Sequence, residues 1–258
     1  MKITVLTDNA AGKNCLAEFG LSYLIEADKK ILFDTGNSDV FKINAERLGI
    51  SLDDTDMVVL SHGHWDHGNG LKHFGNKTLL THPASFSKRY NKKNNSYIGL
   101  ELNLDELKTR YKIITSKTPY TISSEIIYLG EIPRLNDFES QHTHFKLEDG
   151  SDDFVNDDSG LVVKTLNGIV VITGCAHSGI CNTIEYACKV TGTNKVLAVF
   201  GGFHLKGDFE VTHKTIEYFK QKKIEHVCPS HCTAFPALAA FSREFKIFQI
   251  LTGDFYYF

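Results

Sequence analysis

The chain has 258 residues, 42% of them hydrophobic, enough to bury a sizeable core in one large domain or two small ones. A formal net charge of −3 and a pI near 6.4 give no electrostatic case for nucleic acid as the main partner. No apolar run approaches the ~20 residues that span a bilayer, and the start lacks the long apolar stretch and cleavage site of a signal peptide. The expectation is a soluble, cytoplasmic protein acting on a small molecule, with no membrane partner and its oligomeric state open.

Residues 1–8 read as a strand. Residues 21–25 and 30–34 flank a short polar link and predict a hairpin. Residues 40–48 carry helical spacing that stops at Gly49, a normal C-terminal signal. The apolar run 57–60 leads into Ser61-His62-Gly63-His64-Trp65-Asp66-His67-Gly68-Asn69-Gly70, and 79–81 resembles another strand end. Residues 83–120 are more polar, with a short helix at 102–108, and are a candidate substrate-covering insertion. Within them, the basic run Lys88-Arg89-Tyr90-Asn91-Lys92-Lys93 reads as a solvated loop. Strands follow at 126–129, 160–163 and 168–173, the last two as a hairpin around Asn167-Gly168. Helices at 179–190, 211–222 and 235–245 alternate with strands at 195–200 and 224–228. Two sheet-rich halves, each followed by helices, predict an α/β protein over 1–258, a single domain of two packed sheets between helices.

The segment 61–70 places three imidazoles and a carboxylate within six residues. These are the usual ligands of zinc and neighbouring first-row metals. At a strand end, alternation points His62 and His64 to one side, and Asp66 and His67 follow on the turn. Three more histidines also follow strands through Gly- or Pro-containing turns: His177, His204 and His231. Strand ends collect on one rim of a sheet, where loops converge. His73, His82, His142, His144, His213 and His226 are read as structural, with His142-x-His144 the pair best suited to surprise. The six cysteines form no C-x-x-C pair and are read as free thiols. Cys175 and Cys232 adjoin the histidines, and a ligand role for them stays open.

The motif at 61–70, with Leu32-Phe33-Asp34-Thr35-Gly36 upstream and His177 and His231 downstream, resembles the metallo-β-lactamase superfamily. The resemblance implies a four-layer αββα sandwich with one or two divalent ions, zinc first and manganese or iron as alternatives. His62, His64 and His177 would hold one ion, and Asp66, His67 and His231 the second. Asp34 would orient a ligand from behind. Thr7-Asp8-Asn9, Glu131-Ile132-Pro133-Arg134, Asp157-Asp158, Gly174-Cys175-Ala176-His177 and Ser230-His231-Cys232-Thr233 are similar to a narrower subgroup. That subgroup is labelled dihydropterin-methyl-(ribofuranosyl)aminobenzene 5′-phosphate synthase. Most superfamily members carry an aspartate bridging both ions before the last His. Here that strand ends in Gly201-Gly202-Phe203-His204, so His204 either substitutes as a ligand or contacts substrate.

The implied activity is that of a metal-dependent hydrolase, or a transferase of a pterin-methyl group, acting on an anionic, phosphorylated small molecule. Asp66 would orient the attacking water, and the second ion or His204 would stabilise developing charge. Arg134 is a candidate phosphate partner, with a surface ion pair to Glu131 or Asp137 as the alternative. Trp65 is a candidate wall of the substrate pocket. Two other classes stand beside this one: a di-iron redox protein and a non-catalytic metal-binding or sensing module.

Overall fold

Alternate side chains of a strand face opposite sides of its sheet, and in the central strands of this chain both sets are apolar, so each sheet must be covered twice. The computed structural model describes all 258 residues and shows how. Strands β1 (Lys2–Thr7), β2 (Ser22–Glu26) and β3 (Lys30–Phe33) form a meander, and helix α1 (Val40–Arg47) crosses over to β4 (Met57–Val59). The short helix α2 (Trp65–Gly68) leads on to β5 (Lys77–Thr81). Next come β6 (Arg89–Asn91), α3 (Leu104–Lys108), β7 (Tyr111–Thr115), β8 (Tyr120–Thr121) and β9 (Ile126–Tyr128). After them lie β10 (Phe145–Leu147), β11 (Asp152–Asp153), β12 (Gly160–Thr165) and β13 (Gly168–Thr173). The chain closes with α4 (Ile180–Thr191), β14 (Val196–Gly202), α5 (Glu210–Lys222), β15 (His226–Ser230), α6 (Phe235–Ser242) and β16 (Phe255–Tyr257).

The first sheet has the order β16-β1-β2-β3-β4-β5-β7 and the second β15-β14-β13-β12-β9-β8. Each is antiparallel over one half and parallel over the other: β3, β4, β5 and β7 run together, as do β13, β14 and β15. Parallel neighbours need crossovers, which α1, α2, the stretch from β6 to α3, α4 and α5 supply in turn. Tyr23, Ile31, Phe33 and Val59 of the first sheet meet Leu161, Val163, Ile172 and Phe200 of the second in the central core. The opposite faces carry Leu24, Leu32 and Val58 against α1, and Val162, Val171 and Val199 against α4–α6. The result is the expected αββα layering. Tyr23 and Phe200 pack edge to face at 5.0 Å, and the Tyr23 hydroxyl lies 2.6 Å from Ser230 Oγ, tying β2 to the end of β15. No helix is long and apolar enough to cross a membrane.

Two readings of the middle of the chain change. The stretch 83–120 is woven into the fold: β7 is the edge strand of the first sheet, and β6 joins β10 and β11 in a separate three-stranded sheet. The basic run is not a solvated loop. Lys88 and Lys92 do face outward, but Arg89 is buried, donating from Nη2 to Asp157 Oδ1 at 2.8 Å with Nε 3.5 Å from Asp153 Oδ2. A guanidinium enters a core only with such partners, and both lie more than 60 residues away, out of reach of a local charge pattern. Arg89→Ala would strand two buried carboxylates, and urea unfolding should show a loss of about 3–5 kcal/mol.

Candidate metal centre

Every histidine flagged at a strand end lies on one rim. Asp34 follows β3, His62 to His67 follow β4, and Cys175 and His177 follow β13; His204 follows β14, and His231 follows β15. These are carboxyl ends of parallel strands, the usual seat of sites in α/β sheets. The rings of His62, His64 and His177 are mutually 4.6–4.9 Å apart between centroids. On the other side, His67 and His231 stand 4.8 Å apart, and Asp66 Oδ2 lies 3.4 Å from His231 Nε2 and 3.9 Å from His67 Nε2. His62 joins the two groups, its ring 4.3 Å from that of His67. Two triads, His62–His64–His177 and Asp66–His67–His231, each bring their donor atoms within 4.8 Å of one another.

The loop is held from behind by one carboxylate. Asp34, fully buried, accepts from the Ser61 backbone amide at 2.7 Å, from Ser61 Oγ at 2.7 Å and from His67 Nδ1 at 2.7 Å. Ser61 Oγ in turn lies 2.9 Å from His62 Nδ1. Asp34 therefore fixes one histidine of each triad, His67 directly and His62 through a serine, which aims both Nε2 atoms at the centre. Asn9 does the same for His231, whose Nδ1 is 3.1 Å from Asn9 Oδ1. The acidic pair Asp157-Asp158 clamps the backbone: Asp157 Oδ2 accepts from the Gly63 amide and Asp158 Oδ2 from the Ser178 amide. A side chain at Gly63 would collide with the Ser85 carbonyl, so this glycine lets the loop pack closely.

Charge follows geometry. Burial pushes the His64 imidazole down to about 3 and holds His62 and His177 well below the ordinary range, with neighbouring histidines adding to the effect. Their nitrogens are thus free bases at neutral pH. Burial opposes a charge on His67 too, but Asp34 and Asp66 outweigh it and raise the ring to about 9, so an ion binding there displaces a proton. Asp66 stays ionised because His67 and His231 overcome its burial.

The remaining predicted residues fall around this cluster. His204 packs on His177 at 4.3 Å between ring centroids, outside both triads, and lines a cavity of about 410 Å³ with His142, His144, Phe145, Lys206 and Phe209. None of the residues lining it comes from 83–120. Trp65 stacks on Phe19 at 5.7 Å, and Phe19, 55% exposed, also leans on His231. Arg134 forms neither expected ion pair. Its guanidinium donates to the carbonyls of Phe154 and Ile132, bracing the chain where Phe154 borders the cavity. His82 caps a turn and His213 pairs with Asp208 at the surface, as structural residues would. Asn9 and Asp157-Asp158 carried no ligand signal in sequence, because their work is done on distant backbone and ring atoms.

A sequence profile of the metallo-beta-lactamase superfamily matches residues 16–231. The chain belongs to that superfamily. It is 36% identical to an uncharacterised protein of Methanocaldococcus jannaschii, over 93% of this chain and 94% of that one. It is 35% identical to the 7,8-dihydropterin-6-methyl-4-(beta-D-ribofuranosyl)-aminobenzene-5′-phosphate synthase of the same organism, over 95% of this chain and 92% of that one. Among solved structures, a metal-dependent hydrolase of the beta-lactamase superfamily superposes with a TM-score of 0.88 at 31% identity, covering 100% of this chain and 99% of its own.

Superfamily members bind divalent metals, and the residues here fit such ions. The ring nitrogens His64 Nε2, His177 Nε2 and His231 Nε2 are buried without any hydrogen-bond partner, a state that water or an ion must relieve. Five imidazoles and one carboxylate make a donor set of the right chemistry. Asp34→Asn should lower metal affinity about 10–100-fold while the far-ultraviolet circular dichroism stays native, as read by titration against a chromophoric chelator.

Proposed function

We propose that this chain is a metal-dependent enzyme acting on a small, anionic, phosphorylated molecule that carries an aromatic ring. The observation that carries the reading is the pair of triads joined through His62, buried except for the half-buried His177 and opening past His177 and His204 into the cavity. His62, His64 and His177 would hold one divalent ion, zinc first by donor type, and Asp66, His67 and His231 a second. Such ions supply Lewis acidity and bring the pKa of bound water from 15.7 toward about 7.

The protein's own groups define the rest. Phe138, Phe145, Phe154, Phe203 and Phe209 give the cavity apolar walls suited to a flat ring. His142, His144 and Lys206 at the same walls offer donors to an anionic group. His204, between His177 and that space, is positioned to donate to charge that develops on the substrate. Asp66, beside His67 and His231, would hold an attacking water in line. Trp65 and Phe19 form a second aromatic shelf on the His231 side. Arg134 would act on the substrate by fixing the cavity wall at Phe154.

The synthase relative favours group transfer onto a phosphorylated aromatic amine; the hydrolase neighbour favours attack by water. A nitrogen-rich donor set speaks against the carboxylate-rich di-iron reading, and a walled cavity against a module that only senses metal. A screen of metal-loaded protein against pterin and aryl-ribosyl phosphates, phosphodiesters, lactones and thioesters decides among these. Turnover should appear with the ring-bearing phosphates first. His64→Ala should lose both metal retention and turnover to background while remaining folded; undiminished activity in the metal-depleted variant would refute the assignment.

A further inference from the structure

The sulfur of Cys175 lies between the two triads. Its Sγ is 3.2 Å from His67 Nε2, and it forms a third cluster with His62 and His67, all donor atoms within 4.8 Å of one another. His62 belongs to one triad and His67 to the other. A nitrogen and a sulfur bound to one zinc lie at most about 4.4 Å apart, the sum of the two bond lengths. The His67 nitrogen is inside that reach, and the His62 nitrogen, within 4.8 Å of the sulfur, needs at most a shift of a few tenths of an ångström, so the sulfur is placed to serve both positions. We propose that Cys175 is a thiolate ligand shared by the two ions of the centre. The inference rests on the reading above that two ions bind.

Charge gives an independent reason. Two divalent ions held by the triads would meet one ligating carboxylate, Asp66, because Asp34 is already committed to three donors. The rim after β14 brings no other acid. Asp208 pairs outward with His213 at 3.0 Å and Arg243 at 3.3 Å, and Glu210 with Lys214 at 2.8 Å. A second anion between the ions is what the site lacks, and thiolate is a strong ligand for zinc and its neighbours. The backbone is built to present it. A side chain at Gly174 would strike Ser61 Oγ, which packs this strand end onto the His62 loop, and Ala176 takes a left-handed conformation at φ 52°. The neighbouring thiol is otherwise engaged: Cys232 Sγ accepts from the His204 amide at 3.3 Å and faces the Cys175 carbonyl at 3.5 Å.

X-ray absorption spectroscopy of the full chain loaded with two equivalents of zinc tests this without reference to activity. A shared thiolate gives one sulfur neighbour per zinc at roughly 2.3 Å, retained in Cys232→Ser and absent in Cys175→Ser. Half a sulfur per zinc would mean a ligand to one ion only, and a shell of nitrogen and oxygen alone would mean none; either overturns the proposal, as does loss of the sulfur shell in Cys232→Ser. If Cys175→Ser does not fold, the first two spectra decide, since Cys175 is the thiol that clusters with the triads. Failure to take up two zinc ions would instead refute the two-ion reading itself, and the zinc count separates that result from a sulfur-free shell.

Discussion

The Asp34 carboxylate, sealed from solvent at the end of β3, is the constraint on which the centre depends. Burying an ionised carboxylate is costly unless its lone pairs are filled, and here Ser61 and His67 fill them with three short hydrogen bonds. The same bonds draw the loop after β4 against the end of β3. They also set the orientation of His67 and, through Ser61, of His62. One buried charge therefore couples the fold of the first sheet to the aim of a donor in each triad.

The second sheet meets this loop because its parallel strands point their carboxyl ends at the same rim. Four non-glycine residues there, Asp34, Ala176, His204 and His231, hold left-handed backbone with φ between 48° and 56°. Such conformations cost on the order of 1–3 kcal/mol each and persist only where the surroundings over-determine them. The surroundings here are the continuous apolar core between the sheets, the Tyr23–Ser230 hydrogen bond and the Asp157-Asp158 clamp. Strained turns let each strand end bend its histidine inward. The core behind them holds the turns in place.

What the sequence disclosed was what local pattern encodes. Hairpins at 21–34 and 160–173, the helix stopping at Gly49 and the His-rich loop were legible because periodicity, turn residues and spacing are properties of neighbouring residues. The short strands β6, β10, β11 and β16 were not, because two or three residues have no period and become strands only by pairing with partners such as β1. Arg89 was misread for the same reason: its charge looked local, while its partners Asp153 and Asp157 are remote. The gathering of His177 and His231 with the 62–67 loop followed from resemblance and strand-end placement. Asn9 and the Asp157-Asp158 clamp needed coordinates, since their targets are a distant ring nitrogen and distant backbone amides.

Loops from both sheets are proposed to enclose a binuclear centre. Anomalous diffraction from crystals soaked in manganese or zinc measures it most directly. A binuclear centre gives two peaks, one enclosed by His62, His64 and His177 and one by Asp66, His67 and His231. No peak at the rim, or a peak whose nearest donors lie outside these six residues and Cys175, would contradict it.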